Sequence, residues 1–236
     1  MIPGIDSTKL KYMTTCLLKV NKDAPVQMGE EMISTKDYMH CTMLTIENTN
    51  GGKVIDTRPY IARAEDIAKG LNRFKGTISF SEDGRTHNIG MDVTVCHPNY
   101  VPGDIGTTVK ALIEKKYPLR ASISTAALNV LAGQDMKSDP IVYIRNDADG
   151  HYIGILDNIR VRMRGNIEPA SYSTFAAVFL KKLAAMARNT VTVEWMPEGV
   201  VRFSWETYGL TMRYYIAPRV INDENIIKRL DRKVIL

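Results

Sequence analysis

Basic side chains carry the clearest chemical pattern in this chain: Lys9, Lys11 and Lys19 fall in one helical stretch, Lys69, Arg73 and Lys75 in a second, and Lys181, Lys182 and Arg188 in a third. Ammonium and guanidinium groups on helices can neutralise phosphates without reading bases. A single basic helix is as readily an ordinary solvated face, but three with the same bias favour a polyanion. Reactive chemistry finds less support. The carboxylates of "SEDGR" and "RNDADGHY" stand beside glycines, yet the twelve-residue calcium schedule with its closing Glu is missing, and Asp-Gly is a common hairpin pair. His40, His87, His97 and His151 are scattered near strand ends and turns, which suits packing or surface positions rather than metal ligation. The chain has no Walker loop, no G-x-S-x-G elbow and no H-E-x-x-H pair. No catalytic residue, no metal and no cofactor is expected.

The chain has 236 residues, a net charge of +5 and a hydrophobic fraction of 44%. That length allows one large core or two smaller ones, and the composition is that of a folded globular protein. The positive balance suits contact with nucleic acid, or simply solubility. No apolar run approaches the ~20 residues of a membrane span, and "MIPGIDSTKLKY" lacks the form of a secretory signal. The expectation is a cytoplasmic or nucleoid protein, or one of the nucleus or a viral factory, that is neither secreted nor bound to membrane. Cys16, Cys41 and Cys96 are odd in number and far apart, which predicts reduced, buried thiols.

The elements that would position the basic residues recur in order. "TKLKYMTTCLLKV" places Leu10, Met13, Leu17 and Val20 at helical spacing. Two alternating runs, "PVQMGEEMIS" and "YMHCTMLTIE", predict strands, and "RAEDIAKGLNRFKG" predicts a second helix stopping at Gly76. A hairpin around Glu82-Asp83-Gly84 follows. The second half runs through a short helix in "SISTAALNVLAGQ", a hairpin at Asp149-Gly150, a helix over "STFAAVFLKKLAAMARN", a hairpin at Glu198-Gly199, and the strand "TMRYYIA". Leu10 falls opposite Leu128, Gly84 opposite Gly199, and "FKGTISF" opposite "ARNTVTV", offsets of about half the chain that predict a duplicated unit. The fold class is α+β, with two similar domains that each carry two helices and antiparallel strands. We assign residues 1–97 to the first domain, 98–117 to a connector rich in Pro and Gly, 118–221 to the second domain, and 222–236 to a C-terminal tail.

The stretch from Tyr172 to Val220, ending in "RYYIAPRV", resembles the final helix, hairpin and tail of DNA sliding clamps of the proliferating cell nuclear antigen type. "MISTKDYMHCTMLTIE" is similar to that family's early strand pair and "YIARAEDIAKGLNRFKG" to its second helix. The resemblance implies clamp-fold subunits, closed head-to-tail into a homotrimeric ring with helices inside and sheets outside. It implies a processivity factor for DNA replication and repair that encloses double-stranded DNA independently of sequence, with the basic residues above facing the hole. It also implies docking of DNA polymerase, clamp loader, nuclease and ligase through short peptides. His40, Val101 and Ile105, with Tyr215, Ala217, Pro218, Arg219 and Val220 of the tail, match the region where those peptides bind.

The chain departs from that pattern in its basic balance and in a third helix without Lys or Arg. It also continues past the usual end, where Ile226, Ile227, Leu230 and Val234 recur at helical spacing. That extension is either a docking element or a frayed end. The alternative reading is a clamp-fold DNA-binding protein, or a regulator of late transcription or repair, that forms no homotrimeric ring.

Overall fold

The computed structural model describes residues 5–37, 42–54, 60–68, 77–80, 86–89, 93–96, 101–102, 111–135, 140–147, 150–165 and 171–231. Its first half runs β1 (Ile5–Asp6), α1 (Ser7–Val20), β2 (Pro25–Met28), β3 (Met32–Asp37), β4 (Thr42–Asn48), β5 (Tyr60–Arg63), α2 (Ala64–Ala68), β6 (Thr77–Phe80), β7 (Thr86–Ile89) and β8 (Val93–Cys96). The short β9 (Val101–Pro102) follows. The second half runs β10 (Leu119–Ser124), α3 (Thr125–Ala132), β11 (Ile141–Asp147), β12 (Gly150–Ile155), β13 (Ile159–Gly165), β14 (Ser171–Ala176), α4 (Ala177–Met186), β15 (Thr190–Trp195), β16 (Val201–Thr207) and β17 (Leu210–Ile216). A last helix, α5, spans Glu224–Asp231. Each half is therefore two successive strand-helix-strand-strand-strand units.

Strand pairing bears out the duplication. β1 pairs with β6 through Asp6↔Thr77, and β10 pairs with β15 through Ser124↔Thr190. β2 lies between β3 and β5, as β11 lies between β12 and β14. Asp6 and Ser124 also do the same job at the helix starts. The Asp6 carboxylate accepts from the Thr8 and Lys9 amides at 2.9 and 3.1 Å, and the Ser124 hydroxyl accepts from Ala127 at 3.2 Å. Each satisfies amides that the first turn leaves without a helical acceptor.

By contact density the chain divides into two units, Met1–Lys116 with Ser204–Tyr214, and Tyr117–Phe203 with Tyr215–Leu236. In the first, α1 packs on β3 and β4 and against α2. Its strands follow the orders β1-β6-β7-β8 and β17-β4-β3-β2-β5-β9. The apolar stripe of α1, Leu10, Met13, Leu17 and Val20, is fully buried with Ile33, Leu44 and Ile46 of the sheet. Trp205 donates its indole N–H to the Tyr12 hydroxyl at 2.7 Å, which satisfies a buried donor. In the second unit the order is β14-β11-β12-β13-β10-β15, with α3 and α4 packed together on one face. Phe175 and Phe203 meet edge-on there at 5.8 Å.

Three sequence expectations change. The helix assigned from Ser173 begins only at Ala177, because Ser171–Ala176 pairs with β11 along six residues. Its alternating polar and aromatic side chains are better satisfied by a ladder than by another helical turn. A hairpin also joins β16 to β17 at Tyr208-Gly209, both at positive φ. Tyrosine at such a position hides the turn from composition rules; its ring lies 5.3 Å from that of Tyr12, which helps hold it there. The C-terminal extension is helical over α5, and Leu230 is buried.

His151 is buried in β12 and meets Trp195 edge-on at 5.8 Å, so it packs rather than ligates. Cys16 is a buried free thiol. His40, His97, Cys41, Gly84 and Asp149 lie outside the described residues.

Candidate functional site

The most basic helical surface among the described residues is on α1. With Leu10, Met13 and Leu17 turned into the core, the opposite stripe is Thr8, Lys11, Thr15 and Lys19, continued by Lys22. The spacing of three and four residues sets these side chains one above another. Lys9 sits at the flank of this stripe. Partial burial holds its ammonium below the ordinary lysine value, with the Asp6 carboxylate pulling the other way. Lys11 is half-buried like Lys9, and Lys19 is the exposed lysine of the three.

The second unit offers less. On α4, Lys181 is exposed beside Val178, while Lys182 is half-buried, its ammonium 5.9 Å from the Phe179 ring centre. Arg188 is not on the helix, as its sequence position had predicted, because α4 ends at Met186. Its guanidinium donates to the Ala187 carbonyl at 2.9 Å and thereby satisfies part of the helix end. α3 carries no charge and exposes Val130. Lys69, Arg73 and Lys75 lie outside the described residues.

The docking residues divide the same way. His40 and Ile105 lie outside the described residues, and Val101 is placed only by its backbone, which pairs with Ile61. Tyr215 is buried, closing β17, so it supports the tail from below rather than offering itself to a ligand. Ala217 and Pro218 are half-exposed, Arg219 is exposed, and Val220 is 80% exposed. The tail is pinned along β14: the Arg219 amide donates to the Thr174 carbonyl at 2.7 Å, and the Thr174 hydroxyl donates to the Arg219 carbonyl at 2.7 Å. This pair of bonds fixes Arg219, the residue after Pro218, against β14 while leaving Val220 exposed.

A second group that sequence reasoning missed lies at the end of the connector. The Arg202 guanidinium stands 4.2 Å over the Tyr117 ring and donates to the Glu194 carboxylate at 2.8 Å. Burial works against the Arg202 charge, but the Glu194 hydrogen bond and charge, with Tyr215 behind them, hold its pKa above the ordinary value. Burial, then the neighbouring Tyr215, pushes the Tyr117 hydroxyl up to about 12, although Arg202 opposes the rise. Arg202 and Glu194 face each other across the β15-β16 hairpin, a register the Glu198-Gly199 turn could have indicated. Tyr117 carries no comparable signal in sequence. The cluster anchors Tyr117 at the start of the second unit.

No group of His, Cys, Asp or Glu among the described residues is arranged to hold a metal ion. No described helix is long and apolar enough to cross a membrane.

No family model matches the chain. No curated protein matches it by sequence either. Its likeness lies in three dimensions. A structure of A. fulgidus PCNA with the C-terminal region of FEN-1 bound aligns with a TM-score of 0.68 at 18% identity, over 94% of this chain and 100% of that one. The PCNA2–PCNA3 complex from Sulfolobus tokodaii aligns at 0.67 and 14% identity, over 92% of this chain and 98% of that one. What the chain shares with these proteins is the α+β clamp fold.

Proposed function

We propose that this chain, folded as a PCNA-type clamp subunit, is a sliding clamp: a non-catalytic protein that encircles double-stranded DNA and tethers polymerases and other replication or repair proteins to it. The observation that carries the reading is the extent of the likeness, which leaves none of the A. fulgidus chain unmatched and only 6% of this one. The lysine stripe of α1, half-buried at Lys11 and exposed at Lys19 and at its continuation Lys22, supports it chemically. Lysines on a regular helix supply a smooth positive surface, and phosphate contacts of that kind fix no register, so the duplex can slide. Enclosure supplies the persistence that weak contacts cannot.

Three subunits joined head-to-tail close the ring in this reading, and heterologous closure of that kind covers strand edges that would otherwise stay open. Short peptides of polymerase, clamp loader, nuclease and ligase dock beside the tail at Pro218 and Val220 in this reading; that a clamp of this fold takes such a segment is supported by the A. fulgidus protein, which has the C-terminal region of FEN-1 bound. The activity needs no cofactor.

Retention on blocked DNA tests the proposal. Protein is mixed with linear duplex, both ends are then capped with a bulky protein, and the complex is washed at high salt. A threaded ring stays on and leaves when the duplex is cut between the caps. Wash-off that is the same with capped and open ends would refute enclosure, because a simple phosphate binder is released by salt whatever the ends carry.

A further inference from the structure

The sheet of the second unit has a second face, away from α3 and α4. The helices take Val142, Ile144, Ile153, Ile155, Met163 and Phe175, all buried. Strand alternation puts the intervening residues on the opposite side, and the register aligns them into rows. Arg162, Tyr152, Arg145 and Tyr172 run across β13, β12, β11 and β14 in one row. Arg160, Gly154, Tyr143 and Thr174 form the next. The C-terminal segment holds the far end of both rows, where Arg145 donates to the Leu230 carbonyl and Thr174 to the Arg219 carbonyl, and leaves the β12–β13 end open.

Two glycines flatten this surface. A Cβ at Gly154 would lie 2.8 Å from the Tyr143 hydroxyl, and one at Gly150 would lie 3.1 Å from Arg162 Nε. Their absence lets both side chains lie against the strand. Between them the Arg160 guanidinium sits 4.8 Å over the Tyr152 ring.

The charge on β13 has no acidic partner: Arg160, Arg162 and Arg164 form no ion pair among the described residues, and of the strands β10 to β14 only β11 carries an acid, Asp147 at its end. All three are exposed at alternate positions of β13, about 6.6 Å apart. Repeated like charges at that spacing repel one another and contribute nothing to the core, so packing gives them no reason to be there.

We propose that this face binds single-stranded nucleic acid, with Arg160, Arg162 and Arg164 taking phosphates while bases stack on the Arg160–Tyr152 pair and beside Tyr143. Bases reach aromatic rings and guanidinium planes only when they are unpaired. A paired duplex would engage the arginines but leave the stacking surfaces of Tyr152 and Tyr143 unused, so the two strand forms are served by different surfaces, the duplex by α1 and the single strand here. An anionic membrane would call for apolar side chains beside the arginines, and the rows hold tyrosines, glycine and threonine instead. An acidic peptide would use the charges but gains little from planar stacking.

The test is fluorescence anisotropy of the full chain with a short labelled oligothymidylate, titrated at several salt concentrations. Replacing Arg160, Arg162 and Arg164 together by Gln is expected to weaken binding about tenfold or more and to reduce the salt slope by about 2, as loss of three single-strand phosphate contacts requires. Arg160→Lys keeps the charge but loses the plane, so it should leave the slope unchanged and weaken binding about fivefold or more. If the triple variant melts early, the Arg160→Lys result decides alone. Lys116→Gln, which removes an exposed charge elsewhere in the chain, should leave oligothymidylate binding unaffected, which separates this surface from general positive charge. The proposal is overturned if the triple variant or Arg160→Lys binds like the wild type. It is equally overturned if duplex DNA, a polyglutamate peptide or phosphatidylserine vesicles compete as well as the oligonucleotide does.

Discussion

α1 and α3 occupy equivalent places in the two halves, yet they agree only on the side that faces the sheet. Leu10 and Leu128 are both fully buried, as are Met13 and Leu131, and Asp6 and Ser124 cap the two helices in the same way. On the solvent side, Thr8 and Lys11 are matched by Ala126 and Asn129, while the buried Tyr12 is matched by the exposed Val130. The packing side answers to the fold, which both halves must satisfy. The outer side is free of that demand, so the lysines of α1 mark a difference of role rather than of architecture. Positive charge in the second unit instead gathers on the far side of its sheet, along β13.

The largest expected effect tests the shared side. Leu10→Ala and Leu128→Ala should each cost about 2–5 kcal/mol in denaturant unfolding, since both remove a fully buried side chain from a helix-sheet interface. A cost below about 1 kcal/mol at either position would break the equivalence.

The next effect separates positions that the repeat aligns but burial does not. Tyr12→Phe removes the acceptor of the Trp205 indole N–H and should destabilise by about 1–3 kcal/mol. Val130→Ala, at the matching but exposed position, should stay within about 0.5 kcal/mol. Equal losses from the two would mean that the Tyr12 hydroxyl contributes little.

Charge sharpens the contrast further. Lys11→Glu with Lys19→Glu is expected to lower affinity for short duplex DNA about tenfold and to flatten its salt dependence by about 2, the signature of two lost phosphate contacts. Asn129→Lys on α3 should act in the opposite direction by a smaller factor. Electrophoretic mobility shifts at graded salt measure both, and no change on reversing α1 would remove it from the DNA-facing surface.

The smallest effect concerns the connector's entry. Tyr117 keeps its proton to about 12 in the fold against 10.0 in the unfolded chain. The folded state thus binds more protons between these values, and stability contributed below pH 10 falls as pH rises toward about 12. Tyr117→Phe should lessen that decline in alkaline melting curves, and an unchanged decline would assign it to other groups.

The sequence already showed the duplication, because buried positions at helical and strand periods survive in both halves even where identity does not. It also located the exposed tail, since Pro218 cannot continue a strand. It misplaced the start of α4 because Ser171–Ala176 runs into the helix without a Pro or Gly to mark the boundary, and pairing with β11 separates them. Arg188 reads as helical by periodicity, but helix α4 stops two residues earlier and turns its guanidinium into a cap. The Arg202–Tyr117 contact joins residues distant in sequence, and the rows on the sheet's far side need the register of four strands at once, including β11 with β14, so no single segment carries that information. The likeness to clamps showed in sequence only through the tail and weak order elsewhere, consistent with 18% identity to a chain of the same fold.

Enclosure of DNA requires a closed assembly, and mass in solution tests that requirement most directly. Light scattering coupled to size exclusion at micromolar concentration should give a particle of about three times the 26.5 kDa of the chain. A strict monomer under those conditions would contradict the ring.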